Sequence, residues 1–127
     1  QDGTDVTLIA TGIVVPEAME AAKSLAEEGI SARVLNMATI KPLDKEAVIK
    51  AAQETGHIVT VEEHSIIGGL GEAVASVLAE EAPARLHRIG VRDVFGHSGP
   101  AAVLLHEFGL DAEGIAKETR RFLEKQK

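Results

Sequence analysis

At 127 residues with a formal charge of −7 and a pI near 5.2, the chain has the length of one domain and an acidic balance. Three Phe and no Trp or Tyr leave no stacking platform, and the negative charge leaves no basic groove, so nucleic acid is not an expected partner. No apolar run approaches the roughly 20 residues of a membrane span, no basic-then-apolar leader opens the chain, and the lack of Cys excludes disulfides and thiolate chemistry.

Apolar residues make up 45% and charged residues 26%, the proportions of a globular domain. No membrane partner is expected and the protein is read as cytoplasmic. Gln1 stands where a whole protein would have Met, and a strand-like run begins within five residues. The chain therefore reads as a single domain, 1–127, cut from something longer.

In chain order, Val6 to Thr11 reads as a buried strand closed by Gly12. A helix follows, with Val15, Ala18, Met19, Ala22, Leu25 and Ala26 at helical spacing, Pro16 in its first turn and Gly29 at its stop. Ala32 to Met37 is the second strand. Asp44 is placed to cap a helix that buries Ala47, Val48, Ala51 and Ala52 and ends at Gly56. His57 to Glu62 is a third strand, and its run of Ile58, Val59 and Val61 suits a central position covered on both faces. Leu70, Ala73, Val74, Val77 and Leu78 then fall in helical register.

Arg85 to Val91 is the fourth strand. Ser98-Gly99-Pro100 opens a short helix containing Leu104 and Leu105, which Gly109 closes. Asp111 caps a last helix through Ile115, Phe122 and Leu123, whose final turns carry cations that suit the negative end of the helix dipole. Strands alternating with helices imply a mainly parallel sheet with helices on both faces, an α/β fold of three layers, α/β/α. Leu8, Ile9, Val59 and Val61 are the expected core.

Binding crevices in such sheets lie beyond the C-terminal strand ends. Two loops are expected to meet there, Thr11-Gly12-Ile13 and Glu62-Glu63-His64-Ser65. Gly68, Gly69 and Gly71 then precede a helix start, where free N–H groups and the dipole favour an anion. One reading makes this a phosphate or carboxylate site with His64 as donor. The more economical reading gives the glycines a tight turn and His64 a capping or interfacial place. The spacing matches neither the dinucleotide nor the phosphate-loop fingerprint, and Glu72 would stand where the anion belongs. The five His show no metal-ligand spacing, Glu62 and Glu63 would face opposite ways in a strand, and no nucleophile elbow occurs. No catalytic residue and no metal ligand is assigned.

Three segments carry a resemblance. Asp5-Val6-Thr7-Leu8-Ile9-Ala10-Thr11-Gly12, the stretch Val59-Thr60-Val61-Glu62-Glu63-His64-Ser65-Ile66-Ile67-Gly68-Gly69-Leu70-Gly71, and Phe95-Gly96-His97-Ser98-Gly99 with Leu104-Leu105-His106-Glu107-Phe108-Gly109-Leu110 together resemble the C-terminal domain of the transketolase family. The same domain occurs in deoxyxylulose-phosphate synthase and in the β subunits of pyruvate-type dehydrogenases. Glu63-His64-Ser65-Ile66-Ile67-Gly68-Gly69 tilts the resemblance toward a transketolase of the split bacterial kind. His97 departs from the Glu that relatives often have there.

The resemblance implies four parallel strands in spatial order 2-1-3-4, without the antiparallel edge strand that relatives carry before the equivalent of Asp5. It further implies an enzyme whose thiamine diphosphate and divalent metal sit between two earlier domains, so that no cofactor is expected in this chain. The domain would contribute to subunit packing in a homodimer and to an effector site, with upstream cofactor-binding domains or a subunit as its partner. A free-standing α/β module binding a small anion is the alternative from another class.

Overall fold

The computed structural model describes residues 4–37, 44–65, 70–91 and 110–125, without the side chains of 13, 63–65 and 91. Its strands are β1 (Val6–Ala10), β2 (Ala32–Asn36), β3 (His57–Ser65) and β4 (Arg85–Val91), and its helices are α1 (Val15–Glu27), α2 (Lys45–Thr55), α3 (Leu70–Glu80) and α4 (Ala112–Glu124). The four strands form one sheet in the order β2-β1-β3-β4, every pairing parallel. The expected class and strand order are both observed. The helix expected after Ser98 lies outside the described residues.

Each strand is central or lateral for a reason visible in its side chains. All five residues of β1 are buried, and Leu8, Ile9, Val59 and Val61 are 0% exposed, as continuous apolar strands between two helical layers should be. Val6, Leu8, Ala10, Val59 and Val61 pack into one apolar cluster with α1 and α4; Ile9 and Ile58 pack into a second with α2 and α3. β1 also directs a polar group to the second layer. There the Thr7 and Thr55 hydroxyls lie 3.0 Å apart, while Thr55 donates to the Ala51 carbonyl at 2.8 Å, so neither buried hydroxyl is left without a partner.

The helix ends follow the expected chemistry. The Asp44 carboxylate accepts from the Ala47 N–H at 3.1 Å, and the Asp111 carboxylate accepts from the Gly114 N–H at 2.9 Å, each relieving one orphan donor of a first turn. Gly56 ends α2 at φ 70°, a left-handed cap that glycine takes without strain.

The buried face of α1 differs from the expected one. Ala18, Ala21, Ala22 and Leu25 are buried, whereas Met19 is 44% exposed and Ala26 is exposed. Partners set this rotation: the Glu17 carboxylate accepts from the Ala112 N–H at 3.0 Å, and Arg120 donates to Glu28 at 2.8 Å. These contacts lay α4 alongside α1 in the same direction and turn Met19 outward. Spacing alone places Met19 and Ala21 equally well at the margins of the stripe.

Candidate functional site

The order β2-β1-β3-β4 makes the chain leave β1 in one direction and reach β3 in the other, the topology in which open parallel sheets bind ligands beyond the C-terminal ends of the two strands. Gly12 lies directly after β1 at φ 61°, a left-handed conformation that disfavours any residue with a Cβ. It begins a short 3-10 turn, Gly12–Val14, that packs against β3. Of the two segments expected to meet, the first is this turn, and Glu62 to Ser65 prolong the strand it packs against.

β3 extends to Ser65, three residues further than expected, and its register with β4 is irregular between Val61 and Ser65. Such a bulge re-aims side chains at a strand end. His64 belongs to this stretch of backbone, but its side chain, like the whole of Gly68 and Gly69, lies outside the described residues. The roles considered for these three therefore stay open.

The central finding at this edge is Glu62. It is 1% exposed, and its carboxylate spans to the start of α3: the Leu70 N–H donates to Oε1 at 3.0 Å and the Gly71 N–H donates to Oε2 at 2.8 Å. Two of the orphan donors of α3 are thus satisfied by an anion from within the chain, at the end of the helix where negative charge is favoured. The expectation that Glu72 would occupy the anion position is corrected, since Glu72 is exposed and Glu62 fills it instead. Adjacent strand residues that face opposite ways argue against Glu62 and Glu63 as a paired acid and base, and the capping role of Glu62 is not among the expectations from sequence. The signal available was a carboxylate in alternation with Ile58 at the end of a mostly apolar strand, eight residues before a glycine-bracketed helix start.

Gly71 is required for space. A Cβ there would lie 2.7 Å from Arg88 Cδ, 3.2 Å from Arg88 Cγ and 3.3 Å from Thr60 Oγ1. The glycine lets the first turn of α3 descend onto β3 and β4, which brings the Leu70 and Gly71 amides within reach of Glu62. Gly71→Ala is expected to cost about 1–2 kcal/mol in the native background. In an Arg88→Ala background the same change should be neutral or stabilising, because the clash is relieved and alanine favours the helix. A double-mutant cycle by urea unfolding measures this coupling; equal effects in both backgrounds would contradict the steric account.

The two amides at the head of α3 are already taken, and among the described residues no cluster of three or more His, Cys, Asp or Glu is arranged to hold a metal ion. Nor is any described helix long and apolar enough to cross a membrane.

Comparison with known proteins agrees with this architecture. The model of the family "Transketolase, C-terminal domain" matches residues 1–115. A 6-deoxy-6-sulfo-D-fructose transketolase subunit of Clostridium sp. is 48% identical over 126 residues, covering 99% of this chain and 39% of the relative. A 1-deoxy-D-xylulose-5-phosphate synthase of Geobacter sulfurreducens is 47% identical over 124 residues, covering 96% of this chain and 20% of the relative. Among solved structures, a split-gene transketolase described as an inactive β4 tetramer superposes with a TM-score of 0.92 at 49% identity, covering 98% of this chain and 41% of that one. The chain thus spans well under half the length of these relatives. With a family model matched over most of its length, and the parallel 2-1-3-4 sheet beneath it, the chain belongs to the transketolase C-terminal domain family.

Proposed function

We propose that this chain is the accessory C-terminal domain of a thiamine-diphosphate-dependent transketolase assembled from separate parts. Joined to its cofactor-binding domains, it serves an enzyme that moves a two-carbon ketol unit between sugar phosphates. The observation that carries the accessory role is Glu62: the helix start best placed to grip a phosphate is held by the chain's own carboxylate. The domain's contribution is then to packing, within a cytoplasmic homodimer and against the partner that brings the cofactor and its divalent metal. The 48% identity to a transketolase subunit supports this reading.

Calorimetric titration tests it. The chain alone, with thiamine diphosphate and magnesium, should give no saturable heat up to about millimolar cofactor, equivalent to less than about 4 kcal/mol of binding. Supplying the upstream domains should bring both cofactor binding and ketol transfer. A stoichiometric micromolar complex with the chain alone would make it a cofactor-binding module and end the accessory reading. The 47% identity to a deoxyxylulose-phosphate synthase supports a second assignment with the same fold. Formation of 1-deoxy-D-xylulose 5-phosphate by the assembled enzyme, in place of ketol transfer, would select it.

A further inference from the structure

We draw no further inference here: the strongest candidate, the cavity of about 390 Å³ at the N-terminal ends of the strands, lined by Asp5, His57, Leu123 and Glu124 beside the Glu28–Arg120 pair, carries nothing, because Asp5, Glu28, His57 and Arg120 already bond to neighbours in the chain and nothing in the structure shows what would enter the acidic rim that is left.

Discussion

Replacing Glu62 with glutamine is expected to lower the stability of the chain by about 2–4 kcal/mol, although the two side chains have nearly the same shape. The carboxylate offers an acceptor to each of two buried amides. Glutamine has one carbonyl oxygen, and its amide nitrogen would point donor against donor at the other N–H. One of the two amides is then left unpaired, costing about 1–3 kcal/mol, and a charge-assisted bond becomes a neutral one. Loss of the charge also removes a favourable contact with the α3 dipole, about 0.3–2 kcal/mol where the group is buried.

Glu62→Ala should cost more, about 3–5 kcal/mol, since both amides lose their partner and the side chain leaves a void. Urea unfolding with an unchanged m-value measures the loss. Hydrogen exchange at Leu70 and Gly71 should locate it at the head of α3 rather than across the whole domain. A Glu62→Gln variant within about 0.5 kcal/mol of the parent would mean that water serves these amides as well as the carboxylate does.

The second large effect belongs to the core. Leu8 is 0% exposed, is aligned with Val34 on one side and Val59 on the other, and packs into the cluster shared by α1 and α4. Leu8→Ala should destabilise by about 3–5 kcal/mol, the lost transfer energy plus a cavity that rigid neighbours cannot close. β1 is flanked by strands on both sides and covered by helices on both faces, so little can move inward. For a domain whose net stability is on the order of 5–15 kcal/mol, this is a large share. The same measurement on Met19→Ala gives the contrast. Met19 is 44% exposed, and a change within about 0.5 kcal/mol is expected there. Comparable losses at the two positions would refute the observed orientation of α1.

Much of this domain was legible in the residues themselves. The runs Val6 to Ala10 and Ile58 to Val61, apolar but for Thr7 and Thr60, carry apolar side chains on both faces and so require cover on both sides, which makes β1 and β3 central. Asp44, Asp111 and Gly56 mark helix ends through contacts three or four residues away, a range within which local sequence decides the outcome. Gly12 was recognisable as a turn position for the same reason.

Other features depended on residues distant in sequence, and spacing has no access to those. The rotation of α1 is set by Ala112 and Arg120, which lie 95 and 92 residues from their partners Glu17 and Glu28. Glu62 shares with Ile58 and Thr60 the face of β3 that α3 covers, but only folding brings the Leu70 and Gly71 amides onto its carboxylate. The conjunction of Thr60, Gly71 and Arg88 exists only once β3, α3 and β4 are packed together. Sequence by itself therefore determined the fold class, the core and the helix caps, whose physics is local or follows from average burial. The tertiary structure alone decided which polar groups meet at the C-terminal edge of the sheet, because hydrogen bonds require ångström-scale convergence of atoms that the chain brings together only on folding.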